Sequence, residues 1–174
     1  IKAETGSSTR MFAYPYGEYT LEMAEWLEDH GYIAFGQQSG AVGQSAHPQV
    51  IARFPASGVY ANTDTLATKL MSLPFSISAD QVRDPVLENN PPELTLTIDV
   101  DDFKPAQLQC YAAGAGELDI ETSVEGKIMT VEMQQPNAIT AGRGRYNCTA
   151  PSLSQPGRFY WYSQLWVNTD VSNR

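Results

Sequence analysis

Hydrophobic positions follow two regimes along the chain. Up to about residue 73 they come as short apolar runs, Met11-Phe12-Ala13-Tyr14, Tyr32-Ile33-Ala34-Phe35 and Val50-Ile51-Ala52-Arg53-Phe54, halted by Pro15, Gly36 and Pro55. Runs of this length bounded by turn residues predict strands buried on both faces. Between the first two, apolar residues recur in steps of three at Leu21, Ala24 and Leu27, with Thr20 placed to cap a helix and Gly31 to end it. A second helix is predicted from Asn62 or Thr63 through Leu66, Leu70 and Met71, stopped by Pro74. This order is α/β layering, and three strands leave the sheet short of partners.

Residues 74–92 break both patterns. Pro74, Pro85, Pro91 and Pro92 stand among Ser, Asp and Asn, the composition of a linker. From residue 93 the period becomes two, with Leu94, Leu96, Ile98 and Val100 alternating with Thr95, Thr97 and Asp99. Further strands are predicted at 108–111, at 118–123 and 127–133 around a Glu125-Gly126 turn, and at 145–149 and 159–167. Tyr146, two residues before Cys148, has the placing of a tyrosine corner, so residues 93–174 read as an immunoglobulin-like antiparallel β-sandwich. The last strand is aromatic on both faces: Phe159, Trp161 and Leu165 on one, Tyr160, Tyr162 and Trp166 on the other. One face must be core; the other either packs against the first half or forms a stacking platform for sugar rings.

Eleven basic against twenty acidic residues give a net charge of −9, which argues against nucleic acid as a partner. No apolar run approaches the roughly 18 residues of a membrane span. Cys110 and Cys148 make one possible disulfide, and their 38-residue separation suits a bridge between sheets; the alternative is two buried free thiols. If paired, they imply a secreted or periplasmic protein.

Candidate chemistry is sparse. His30 falls in the last turn of a helix, where the dipole favours a cation, and His47 has no second ligand near it in sequence. Asp99, Asp101 and Asp102 lack the glycine turn and later acid of a calcium loop. There is no Gly-x-Ser-x-Gly elbow, P-loop or Cys-x-x-Cys. What remains is Tyr14-Pro15-Tyr16-Gly17-Glu18-Tyr19, at the C-terminal end of the first predicted strand, where α/β folds place their ligands. Tyr14, Tyr16, Glu18 and Tyr19 are therefore candidates for the rim of a site.

This stretch, with Thr5-Gly6 before it and Gly31-Tyr32, Ala34-Phe35-Gly36 and Ile51-Ala52-Arg53-Phe54 after it, resembles the latter part of the polysaccharide deacetylase family. Its members are metal-dependent enzymes with a deformed α/β barrel that remove acetyl groups from sugars. The resemblance covers about residues 1–72. It implies an α/β plus all-β chain: the C-terminal portion of a deformed (β/α) barrel over 1–73, the linker, then the sandwich. It further implies that the backbone N–H of Tyr16 holds the oxyanion of a tetrahedral intermediate, with Tyr14, Pro15 and Gly17 bordering the substrate groove. The expected cofactor is a divalent metal such as zinc that activates water against an N- or O-acetyl group of a polysaccharide. The family's Asp-Asp pair and His-x-x-x-His motif precede the Pro-Tyr-Gly turn and have no counterpart ahead of it here, so the metal ligands and base are expected in an upstream segment of the same enzyme, continuous with this one or on a separate chain. Ala13 stands where many relatives carry arginine, and His47 does not match the family's late histidine. The competing reading is a non-catalytic polysaccharide-binding or adhesion module that recognises glycan through Tyr160, Tyr162 and Trp166.

Overall fold

The structure, a computed structural model, describes residues 2–6 and 8–171. In chain order its elements are α1 (Lys2–Thr5), β1 (Met11–Ala13), α2 (Leu21–Asp29), β2 (Ile33–Phe35), α3 (Thr63–Leu70), β3 (Leu73–Pro74) and β4 (Glu93–Asp99). Then follow β5 (Gln109–Ala112), β6 (Gly116–Glu117), β7 (Ile120–Glu125), β8 (Ile128–Gln134), β9 (Arg143–Pro151) and β10 (Phe159–Val167). The molecule is mostly sheet, with few helices and no closed barrel among the described residues.

Both long helices begin at the residues the pattern marks. The Thr20 hydroxyl accepts from the Met23 N–H at 3.2 Å, and Asn62 Oδ1 accepts from Asp64 and Thr65 at 2.9 and 3.1 Å. Each cap satisfies donors that the first turn leaves open. Gly31 ends α2 with φ +67, a conformation that costs glycine little. Leu27 and Ala24 turn inward, and Leu27 packs with Tyr14, Tyr19 and Ala34.

β1 and β2 pair in parallel, Met11 opposite Ile33 and Ala13 opposite Phe35. The third strand expected over Val50–Phe54 shrinks to one parallel bridge, Phe35 to Ile51. Beyond it the Arg53 N–H turns away to Gln38 O at 3.0 Å, and Pro55 has no N–H to continue a ladder.

The second half forms two sheets, ordered β3-β10-β9-β5-β6 and β4-β8-β7. All pairings are antiparallel except β3 with β10. The sheets pack face to face. Leu94, Leu96, Ile98, Met129, Val131 and Met133 from the smaller sheet meet Cys110, Ala112, Tyr146, Cys148, Ala150 and Trp166 from the larger. Tyr146 fastens the two: its hydroxyl donates to Pro92 O at 2.8 Å and accepts from the Gln135 N–H at 3.0 Å, just outside β4 and β8. The β7–β8 hairpin pairs Glu125 with Ile128, so its loop is Gly126-Lys127, one residue later than expected.

Three expectations need correction. Cys110 and Cys148 form the disulfide, but it lies within the five-stranded sheet, because β5 and β9 are neighbours in register at those residues. Sequence separation alone carries no information on which sheet each cysteine joins. Residues 74–92 are no free linker. Leu73 and Pro74 pair with Tyr160 and Trp161, Asp99 N–H donates to Ser76 O, Val167 N–H donates to Pro85 O, and the Phe75 ring is buried in the core. Prolines are tolerated here because the segment lies at a sheet edge. Finally, Tyr160, Tyr162 and Trp166 point into the core between the sheets, so they offer no open platform.

Candidate functional site

The opposite face of β10 meets the first half of the chain. Trp161 Nε1 donates to Ser39 Oγ at 3.1 Å, the hydroxyls of Ser39 and Ser163 lie 2.8 Å apart, and Ser163 Oγ donates to Asn147 Oδ1 at 2.6 Å. Phe54 packs edge-on to Trp161 with ring centroids 5.4 Å apart. These polar groups satisfy one another, which is what allows them to be buried in a seam between halves.

At one end of this seam lies the turn that follows β1. Tyr14 N–H extends the ladder to Phe35 O at 3.1 Å, then Pro15 to Gly17 make a single tight turn. Tyr16 has φ 56 and ψ 6, the one positive-φ residue other than glycine among those described. A tyrosine in the left-handed region is strained by about 1–3 kcal/mol and persists only when its surroundings hold it. Here they do. Gly17 follows at φ +75 and passes so close to Gln37 that a Cβ would lie 2.5 Å from its backbone nitrogen. With the Gln37 amide oriented to satisfy both ends, its NH2 donates to Tyr16 O at 3.2 Å and its oxygen accepts from Arg53 at 3.1 Å. Arg143, at the start of β9, places its guanidinium 5.0 Å from the centre of the Tyr16 ring and pairs with the Glu18 carboxylate.

The consequence is a specific set of free groups. Gly17 N–H donates to Tyr14 O and Glu18 N–H to Pro15 O, whereas among the hydrogen bonds of the described residues the Tyr16 N–H donates to none. The Tyr16 side chain is 70% exposed and Pro15 is exposed beside it. Thus Tyr16 and Pro15 are at an accessible surface.

Tyr14 and Gly17 are not. Tyr14 is 2% exposed, its ring packed on Phe12 and Tyr19 and its hydroxyl donating to Gln49 O at 2.9 Å; burial pushes its phenol up. It anchors the turn and cannot border a groove with its side chain. Gly17 is buried against Gln37, so its role is to let the chain pass. Tyr19, expected at the rim, is buried too, and its phenol is pushed up by burial first, then by Tyr162, Asp84 and Tyr14. Glu18 reaches the surface only to meet Arg143. Arg143 and Gln37 are the residues the sequence reading missed. Neither carries a local signal, since each matters only through a partner distant in sequence.

His30, His47, Asp101 and Asp102 have structural partners, whereas Asp99 buries Oδ1 without one. The His30 ring stacks on Trp26 at 3.9 Å, and the His47 Nδ1 accepts from the Gln49 N–H at 3.3 Å. Asp101 pairs with Lys127 at 2.5 Å. Asp102 accepts from Ser152 Oγ, Ser154 Oγ, Ser154 N–H and Tyr160 Oη, and its carboxyl is held below the usual range chiefly by the Ser152 hydroxyl. Among the described residues no three His, Cys, Asp or Glu side chains converge where a metal ion could sit, so these residues do not fit a metal centre. No helix among them is long and apolar enough to cross a membrane. No family model matches the chain, and comparison with curated proteins finds no match.

Proposed function

We propose that this chain is part of a carbohydrate deacetylase acting on N- or O-acetyl groups of a polysaccharide, to which it contributes an oxyanion-binding turn, one wall of the groove and an accessory sandwich. The observation that carries the reading is Tyr16: a strained residue at the end of a parallel strand, held from three sides, with its N–H unspent and its ring at the surface. A fixed N–H aimed at developing negative charge stabilises it without reorganisation, and loss of one such donor costs about 2.7–4 kcal/mol in other hydrolases. Pro15 pre-sets the turn, Gly17 and Gln37 lock its carbonyl side, and Arg143 clamps the ring.

On this reading the two parallel strands and the Ile51 bridge are the last portion of a deformed barrel. The two-sheet half is immunoglobulin-like, with three strands ordered as B-E-D facing five ordered as A-G-F-C-C′. The disulfide then joins the C- and F-type strands. It supports a secreted or periplasmic setting. On the same reading the metal ligands and the general base lie upstream or on another chain.

The test has two parts. The reading frame upstream of Ile1 must encode an Asp-Asp pair and a His-x-x-x-His motif; a frame without them overturns the reading. In the protein that includes that segment, the Pro15–Tyr16 amide is replaced by an ester, which removes the Tyr16 N–H and weakens the Pro15 carbonyl that accepts from the Glu18 N–H. Acetate release from acetylated oligosaccharides should fall about 100- to 1,000-fold in kcat with KM nearly unchanged. Unchanged kcat would remove Tyr16 from the mechanism.

A further inference from the structure

We propose that the cleft between the 40–54 loop, α3 and the turn before β10 binds the anionic group of a charged polysaccharide. Arg53, Lys69 and Arg158 line it together with the apolar Val42, Phe54 and Leu73. No Asp or Glu lines it. The chain holds 20 acidic and only 11 basic residues, so three cations around one acid-free cleft concentrate positive charge against the sign of the whole molecule.

None of the three is neutralised internally. Among the described residues the ion pairs are Lys127 with Asp101 and Arg143 with Glu18, and no carboxylate lies within ion-pair distance of Arg53, Lys69 or Arg158. Each cation is nonetheless held in place. Arg158 Nε donates to Met71 O at 2.5 Å and its Nη1 to Gln155, which leaves Nη2 for a ligand. Lys69 is half-buried with its ammonium 5.2 Å from the centre of the Tyr60 ring. Arg53 donates to the Gln37 amide, which in turn donates to Tyr16 O. One side chain, Gln37, therefore joins Arg53 of this cleft to the Tyr16 turn.

The chemistry selects an oxyanion. Two guanidinium groups and an ammonium offer forked and single donors to a carboxylate, sulfate or phosphate ester, while the apolar lining residues suit the non-polar face of a sugar ring. That the ligand is a sugar rests on the deacetylase reading; that it is anionic does not.

Calorimetric titration of the 174-residue chain tests this with four probes: tetragalacturonate, a tetrasaccharide bearing sulfate esters, inorganic phosphate and neutral maltotetraose. At least one charged oligosaccharide should bind tenfold or more tightly than maltotetraose, and binding should weaken as NaCl is raised. The Arg53→Gln/Lys69→Gln double variant should lose tenfold or more of that affinity while its thermal unfolding stays within the range of the parent. The proposal is overturned if maltotetraose binds as tightly, if phosphate alone binds as tightly as the charged glycans, if no charged glycan binds, or if the double variant binds unchanged. Calorimetry reads no acetate release, so charged-glycan binding by this chain, with no acetate released by the protein that includes the upstream segment, keeps this inference and removes the deacetylase reading. Acetate release without charged-glycan binding does the reverse.

Discussion

Among the described residues, the core cluster of 73–171 holds seventeen buried hydrophobic side chains and that of 2–72 holds four, and the difference separates a half that closes on itself from one that borrows its stability. The first half leaves Met11, Met23, Trp26, Ile33, Leu70 and Met71 exposed and has only two paired strands of three residues. A two-stranded sheet is marginal in isolation. The two-sheet half has a disulfide, a buried hydroxyl staple and alternating strands that all point the same way. Strain at Tyr16 therefore sits in the weaker half, where the stronger one holds it through Arg143.

The largest test of this contrast is the disulfide. Replacing Cys110 and Cys148 with alanine opens a 38-residue loop and should cost about 4 kcal/mol, measured by urea unfolding. The loss should appear in the two-sheet half and carry the first half with it, because the seam on β10 disappears when the sheet melts. Next come matched core truncations. Leu96→Ala should cost about 3–4 kcal/mol and lower the single main transition. Leu27→Ala should cost about 2 kcal/mol and raise amide exchange in residues 11–35 while leaving β4–β10 protected. Equal protection changes in both halves would mean that they unfold as one unit.

Gly17→Ala meets both a φ of +75 and the Gln37 backbone and should cost about 1–3 kcal/mol, visible as faster exchange in 14–18 and 36–38. The smallest effect is expected at Asp102, which accepts from a buried Ser152 hydroxyl, an exposed Ser154 hydroxyl and the Ser154 N–H. Its folded pKa is below the ordinary 3.8, so its contribution is complete above that pH and is lost as pH falls through the lowered value. Asp102→Asn should lower Tm at pH 7, and the gap to the parent should close in strong acid.

Local signals were legible and distant ones were not. Thr20, Asn62 and Gly31 bound their helices, and Leu94, Leu96 and Ile98 alternate inward, because caps and period are properties of neighbouring residues. The site was marked in the sequence only by its turn. Nothing local distinguishes Tyr14, which became an anchor, from Tyr16, which stayed exposed, since the choice was made by Gln49 and Arg143. The faces of β10 could not be ordered because both are aromatic. Arg53, Lys69 and Arg158 are far apart in sequence and meet only through the fold.

β10 presents one face to the core and the other to Ser39 and Phe54, and its edge holds β3. It is also synthesised after every element it touches. During vectorial synthesis, β3 and the first half must wait at the ribosome without the β10 surface they dock on, while earlier pairings such as β7–β8 and β5–β9 are free to form. Assembly of the two halves is thus timed by the emergence of nine residues, and a nascent chain paused before Phe159 would hold Trp161's future partners exposed to chaperones.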